Sequence, residues 1–317
     1  MDLDTAQAAV CAYRPQLAED DSARLEFFSK IWEFQEGIKA RVLEAGRVVV
    51  VQGAPLAEWY WSEKPLLKMA PLELDVALFG DALQGCAARL ATDAGLDAEL
   101  ADALTRFDWA GLALQANGLA DEAATAERDT AERDNAGAGS SPDAFIAALC
   151  RRLNALGHPQ AFVQTVAINV ALALRPLLEP TADALLATLP SGGNDSVGHK
   201  PLLCPVCGSQ ASASCVGNLP SGTKNGRLLF CSLCGMQWEF ERIRCPRCGT
   251  SNQGKLHYSH IQGDEAHRLY LCDQCGGYTR TTFAQSLRVP FSFDVEDVVM
   301  ARLDQIALNS QLRAEGN

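Results

Sequence analysis

"CPRCGTSNQGKLHYSHIQGDEAHRLYLCDQCGG", residues 245–277, opens and closes on a C-x-x-C pair, and residues 204–235 have the same form. Equivalent cysteines of the two stretches lie 41 residues apart throughout, without a net insertion. The stretches also share glycines directly after the cysteine pairs and an Arg-Leu dipeptide, which begins at Arg227 in one copy and at Arg268 in the other. The chain therefore contains an internal duplication of a short cysteine-rich module.

Each copy predicts one tetrahedral metal site made of four thiolates. Two thiolates on one tight turn can reach the same ion at about 2.3 Å each, and a second turn on a facing hairpin completes the site. A glycine after the second cysteine can adopt positive φ, which turns backbone N–H groups toward the sulfurs. A redox dithiol would need a C-x-x-C at the start of a helix beside a βαβ pattern, and the sequence indicates none. The predicted ligands are Cys204, Cys207, Cys231 and Cys234 for the first site, and Cys245, Cys248, Cys272 and Cys275 for the second.

The residues alone do not select the metal. Zinc is the usual occupant of a tetrathiolate site, and iron fits the same geometry in rubredoxin-like proteins. We therefore expect two metal ions per chain, each either zinc or iron.

The composition is that of an ordinary globular protein, with 48% apolar and 21% charged residues. Its 317 residues favour two domains. The most apolar stretch, residues 161–178, is interrupted by Gln164, Asn169, Arg175 and Pro176, so we interpret it as a buried helix and expect no membrane insertion. The N-terminus shows no leader pattern, and we expect a cytoplasmic protein. In that reducing compartment, twelve cysteines favour metal binding over disulfides.

Charge is distributed unevenly along the chain. Residues 1–199 carry 29 acidic and 15 basic side chains, whereas residues 200–317 carry 10 and 12. Proteins bind nucleic acid mainly by neutralising phosphates with Lys and Arg. The acidic half therefore argues against nucleic acid as a partner.

Turn signals and composition predict a multidomain fold. It consists of a mainly α-helical N-terminal domain, two tandem rubredoxin-like (zinc-ribbon-like) small β modules and a C-terminal helix. The expected bounds are 1–188 for the acidic helical domain, 189–200 for a linker, 201–240 for the first metal module, 241–283 for the second, and 284–317 for the helical tail.

Capping signals predict several helix ends in the first half. One helix is expected to begin with Asp21 or Ser22 as its N-cap. Another is expected from Gln160 to about Leu174, with a separate short helix beginning at Pro180, because proline is unfavourable inside a helix.

Five motifs stand between about residues 201 and 304: "CPVCGS", "CSLCGMQWEFERIRCPRC", "GKLHY", "CDQCGGY" and "DVEDVVMARLD". In combination they resemble the C-terminal half of the formate dehydrogenase accessory protein family, FdhE, whereas residues 1–199 show no motif of that family. The resemblance implies two rubredoxin-like modules that can carry iron, which favours iron over zinc. It also implies a cytoplasmic maturation factor, not an enzyme, that binds the catalytic subunit of formate dehydrogenase and is needed for its activity.

Two other functions stay open at this point. One is a zinc-ribbon nucleic-acid-binding protein, supported by the modules and by Arg242, Arg244 and Arg247; the other is a rubredoxin-like electron-transfer protein. No Ser/His/Asp grouping, phosphate loop or motif of paired carboxylates indicates hydrolysis or phosphoryl transfer.

Several single residues have plain structural interpretations. His257 gains a functional role only from the resemblance, and His260 and His267 are expected at the surface. We interpret Trp238 as a packing residue that joins the two modules. The cysteines outside the ligand spacing are expected to be small apolar residues, buried or half-buried: Cys11, Cys86, Cys150 and Cys215.

Overall fold

The computed structural model describes residues 1–47, 64–69, 73–130, 141–188, 200–218, 224–305 and 307. The expected linker at 189–200 lies outside these residues except for Lys200. The division of the chain into five parts therefore stays a prediction.

The first half of the chain is helical. Its elements are α1 Leu3–Tyr13, a 3-10 turn Arg14–Gln16, α2 Glu19–Glu44, α3 Leu66–Met69, α4 Val76–Asp93, α5 Ala98–Arg106, α6 Trp109–Thr130, α7 Pro142–Ala155 and α8 Gln160–Thr188. Helix α8 lies at the centre, because α2, α4 and α7 all pack along it.

Helix α2 begins earlier than its capping signal predicts. It starts at Glu19 after Ala18, whose side chain makes no capping hydrogen bond, so the predicted N-cap at Asp21 or Ser22 is wrong. Acidic residues, including Asp20, fill the first turn of this helix. Negative side chains there interact favourably with the helix dipole and stabilise an end that has no side-chain cap.

Helix α8 continues through Pro176 and Pro180, so the predicted break near Leu174 is wrong. Pro176 removes the N–H that would bond to the carbonyl of Leu172. Gln35 of α2 donates its Nε2 to that carbonyl at 2.8 Å, which replaces the lost helical hydrogen bond with a tertiary one. By length and composition α8 could cross a membrane, yet 67% of its apolar window is buried inside the protein, as expected for a core helix.

The second half forms one six-stranded sheet. Its strands are β1 Ala213–Gly217, β2 Gly226–Phe230, β3 Gln237–Phe240, β4 Leu256–Ser259, β5 His267–Cys272 and β6 Tyr278–Phe283, in the order β3-β2-β1-β6-β5-β4. Each copy of the duplication supplies three antiparallel strands. The copies join through the parallel pair β1 and β6, from Ala213 opposite Arg280 to Val216 opposite Phe283.

The C-terminal helix α9, Phe293–Val299, covers one face of this sheet, and residues 301–305 are also helical. The ring of Phe293 stacks on that of Phe230 of β2 at 4.9 Å between centroids. On its other side, α9 packs against α1 and α2. A helical N-terminal half, paired β modules and a C-terminal helix confirm the predicted fold class.

The first module shares its core with the helices. Trp238 of β3 is 2% exposed and belongs to the same apolar cluster as α2, α4 and α8, and its Nε1 donates to the carbonyl of Pro201 at 3.0 Å. The amide of Leu66 in α3 donates to the carbonyl of Pro205 at 2.8 Å. Trp238 therefore joins the first module to the helices and not to the second module, because β3 is the strand farthest from it.

His267 of β5 is buried, contrary to the expectation of a surface position. Its Nδ1 lies 2.9 Å from Oδ1 of Asp264, and its Nε2 lies 2.8 Å from Oε2 of Glu296 in α9. Tyr13 of α1 donates its hydroxyl to Oε1 of Glu296 at 2.8 Å. The sequence could not show this burial, because the groups that enclose His267 come from the two ends of the chain. Burial by itself lowers the pKa of His267, but the two carboxylates outweigh it and raise that pKa to about 9.

We expect His267→Gln to lower the free energy of unfolding by about 3 kcal/mol near pH 6. A histidine whose pKa is raised by folding stabilises the protein fully below its unfolded pKa, near 6.5, and this contribution is lost as the pH rises through about 9. The deficit of the variant should therefore shrink above that pH. Urea denaturation of the wild type and of His267→Gln at about pH 6 and about pH 10 measures this deficit in the free energy of unfolding. His260→Gln serves as the control. A deficit that is equal at both pH values would contradict the ionic interpretation.

Candidate metal centres

Four tight turns bring eight cysteines together in two groups. The first group is Cys204, Cys207, Cys231 and Cys234, and the second group is Cys245, Cys248, Cys272 and Cys275. Within each group the four Sγ atoms all lie within 4.8 Å of one another. These are the two sets that the duplicated spacing predicts, each drawn from one copy.

The same backbone hydrogen bonds recur in all four turns. The amide of the glycine after the second cysteine donates to the carbonyl of the first cysteine, from Gly208 to Cys204 at 2.9 Å and from Gly276 to Cys272 at 2.9 Å. The amide of the first cysteine donates to a carbonyl just beyond the glycine, as from Cys204 to Ser209 at 2.8 Å. All four glycines have positive φ, between 68° and 82°, as their positions predict. Only glycine adopts this conformation without a steric cost.

The spacing of the sulfur atoms fits a tetrahedral ion. The paired Sγ atoms are 3.4 and 3.5 Å apart in the first group, and 3.8 and 3.9 Å apart in the second. Sulfurs bound to a central ion at about 2.3 Å are about 3.8 Å apart in a regular tetrahedron. Each group can therefore hold one metal ion, and four thiolates suit zinc and iron alike.

A cation would stabilise ionised thiols in these groups. Burial raises the pKa of Cys204 and of Cys234, whereas hydrogen bonds from the other thiols of the group lower the pKa of Cys231. Several thiolates buried together repel one another and lack solvation. A divalent ion removes both penalties, so its binding releases protons from the group.

The two groups differ in exposure. All four cysteines of the first group are buried, whereas Cys248 and Cys275 of the second group are exposed. The second group opens on a groove of about 550 Å³, whose lining residues are Gln210, Arg247, Cys275, Gly276, Gly277 and Tyr278. The first group is thus part of the protein interior, and the second lies at the surface.

One buried arginine holds the first group against the helices. Arg175 of α8 donates its Nη1 to the carbonyl of Ser232, which lies between two cysteines of that group, at 2.7 Å. Its Nε and Nη2 pair with carboxylates of Glu179 and Asp294 at 2.9 and 3.1 Å. Helix α8, the first module and α9 therefore meet at one guanidinium group. Sequence reasoning missed this role, and its only signal was an arginine inside an apolar helix.

The other residues that the sequence singled out lie apart from both groups. His257 of β4 is exposed, with its Nδ1 3.8 Å from the carboxylate of Asp273, and the described residues give it no place in a metal group. Cys86 and Cys215 are buried and Cys150 is half-buried, as expected, whereas Cys11 is exposed.

The fold and the cysteine groups define a helical protein with two tetrathiolate metal-binding modules of the zinc-ribbon or rubredoxin type. Residues 203–242 match the sequence model described as "FdhE, central domain". A protein FdhE homolog of Shewanella oneidensis is 34% identical over 114 residues, which cover 36% of this chain and 35% of that protein. Protein FdhE of Escherichia coli O1:K1 is 32% identical over 133 residues, which cover 40% of this chain and 38% of that protein. The cysteine-rich region of this chain is therefore similar to FdhE proteins, which confirms the resemblance.

The aligned parts span little more than a third of the length of these relatives. A crystal structure of the FdhE protein from Pseudomonas aeruginosa is 20% identical, and the match covers 75% of this chain and 93% of that one. Its TM-score of 0.35 does not establish a common overall fold.

The turn glycines give a matched pair of variants. At Gly208 an added Cβ would lie 2.9 Å from Cγ of Pro65, whereas at Gly276 it would meet nothing within 4 Å. Gly276→Ala should therefore cost only the left-handed backbone strain, about 1–2 kcal/mol. Gly208→Ala should cost more, since it also displaces the segment before α3. Thermal unfolding of the metal-loaded proteins compares the stability of the two variants. Equal losses of stability would contradict the packing of the first turn on that segment.

With both groups loaded, we expect the second ion to leave first. A chelator or a thiol reagent reaches Cys248 and Cys275 directly, whereas the first group is reached only when the core opens. Chelation should therefore release one ion per chain in a fast phase and one in a phase at least about tenfold slower. Cys248→Ser should remove the fast phase. A single phase that releases both ions would show that the difference in exposure has no kinetic effect.

Proposed function

We propose that this protein is a cytoplasmic accessory protein that binds the catalytic subunit of formate dehydrogenase and supports its assembly or activation, without turnover of its own. The observation that carries the proposal is a pair of four-cysteine groups in one sheet, in a chain whose residues 203–242 match the FdhE central-domain model. The client follows from the motif resemblance.

In this proposal the eight cysteines are metal ligands, and each group holds one ion. The resemblance favours iron, and zinc is the common alternative. Iron bound by four thiolates supplies a one-electron couple, whereas zinc supplies only cohesion. The four cysteine turns share the same backbone hydrogen bonds, so the turns themselves do not favour one metal over the other.

The difference between the two groups supports a division of roles. The first group lies in the core beside Arg175, where an ion braces the sheet against the helices. The second group exposes two sulfur-bearing residues, Cys248 and Cys275, beside the groove. A client that docks on this face meets the second group directly, so we assign the contact with the client to the second module.

Exposure of the second group also favours one alternative, electron transfer by iron, because a redox centre at the surface is accessible to a partner. Anaerobically purified protein distinguishes the two functions. A visible absorption spectrum of ferric tetrathiolate that bleaches on reduction and returns on oxidation supports electron transfer. A colourless protein with two zinc ions per chain excludes it.

Complementation in the natural host tests the accessory function. Deletion of the gene should abolish most dye-linked formate oxidation, and the wild-type gene should restore it. The double variant Cys248→Ser/Cys275→Ser should fail to restore activity, although the buried first group and the helical core are left unchanged. Cys11→Ser, which alters an exposed cysteine outside both groups, should restore it fully.

Two results decide the outcome. Undiminished formate oxidation in the deletion strain, without a second copy of the gene, would contradict the accessory function. Capture of the formate dehydrogenase catalytic subunit by tagged wild type, but not by the double variant, would support docking at the second module.

A further inference from the structure

Arg227 of β2 is a buried cation without an acidic partner among the residues that the structure describes. Its exposed fraction is 0%, and within the described part of the chain no carboxylate forms an ion pair with it. Its Nη2 donates to Oγ of Ser214 at 3.0 Å, and its Nε has no hydrogen-bond partner. A buried charge that is neither paired nor fully hydrogen-bonded is strongly unfavourable. An anion close to Arg227 would lower the cost of burying its charge.

The surroundings of Arg227 point to the second cysteine group. Its Nη1 reaches the carbonyl of Arg244, the residue directly before Cys245, at 3.5 Å. Its guanidinium carbon lies 4.2 Å from the ring centroid of Tyr270, two residues before Cys272. Burial lowers the pKa of Arg227, and the tyrosines around it and Cys245 act in the opposite direction. A side chain of the first module thus contacts residues that lie just before each of the two turns of the second group.

The duplication supplies an internal comparison. Arg268 occupies the equivalent position of the second copy, and its Nη2 pairs with Oε2 of Glu265 at 3.2 Å. Its side chain is 25% exposed, so water also solvates its charge. Arg268 of the second copy therefore has a carboxylate partner and contact with solvent. Arg227 of the first copy has neither among the described residues.

We propose that Arg227 is the buried countercharge of the second metal group, and that it makes ion binding by the second module depend on the first. Four thiolates around a divalent ion carry a net charge of −2, which supplies the missing anion. Without an ion this charged complex is absent, and the described residues offer Arg227 no carboxylate in its place. The arginine therefore favours the loaded state over the empty one. This inference rests on the metal binding proposed above.

Three variants of the full-length chain test it. Arg227→Met removes the charge and retains an unbranched side chain, Arg227→Lys retains the charge, and Arg268→Met removes the equivalent charge of the other copy. Each is titrated with cadmium in competition with a chelator. Cadmium NMR follows the two ions separately, because each tetrathiolate site gives its own resonance. Thermal unfolding is recorded with and without cadmium.

We expect Arg227→Met to weaken cadmium binding at the second group about tenfold or more and to leave the first group within about twofold of wild type. The Tm of the empty protein should stay equal or rise, while the rise in Tm on loading becomes smaller. Arg227→Lys and Arg268→Met should bind both ions like the wild type.

Other results overturn the proposal. Equal losses of Tm in the empty and loaded Arg227→Met protein, or a loss of affinity in Arg227→Lys as large as in Arg227→Met, would show that the residue serves packing and not charge. A wild-type chain that takes up no cadmium would overturn the metal-binding proposal itself. Two ions in wild type and unchanged binding in Arg227→Met would overturn only the role of Arg227.

Discussion

Repulsion among thiolates is the constraint on which the C-terminal half depends. Four sulfurs that all lie within 4.8 Å of one another cannot be ionised together unless a cation lies between them. Each copy of the duplication has only three strands of four to six residues, which bury too little apolar surface to fold alone. Cohesion therefore comes from the parallel pairing of β1 with β6 and from the helices that cover the sheet, and an ion bound by each group would add to it.

The local part of this design could be predicted from the sequence. The structure of a C-x-x-C-G turn is determined locally. The cysteines, the glycine at positive φ and the hydrogen bonds that close the turn all lie within a few residues. Repetition of the turn at constant spacing then indicates which four thiols meet, because each copy must close on itself. For this reason the predicted ligand sets coincide with the two groups in the structure.

The non-local part could not be predicted, for a single physical reason. The continuous path of α8 through Pro176 depends on a hydrogen bond from Gln35, and the buried imidazole of His267 depends on Glu296 and Tyr13. In each case the deciding partner is remote in sequence, so no local pattern reveals it. The pairing of β1 with β6 also joins segments that are remote in sequence. It could not be predicted, because nothing in either strand specifies which neighbour it takes.

The two copies of the duplicated module have different surroundings. Each copy forms a three-stranded sheet with two edge strands. The two copies join through one edge strand of each, β1 and β6. The other two edge strands, β3 and β4, therefore lie at opposite edges of the combined sheet. The helices cover the first copy, and this buries its cysteine group among apolar side chains. The second copy stays at the surface, where two of its cysteines are exposed, and Arg227 of the first copy contacts the carbonyl of Arg244, directly before Cys245. Tandem duplication thus leaves one cysteine group enclosed by the helices and the other accessible from solvent.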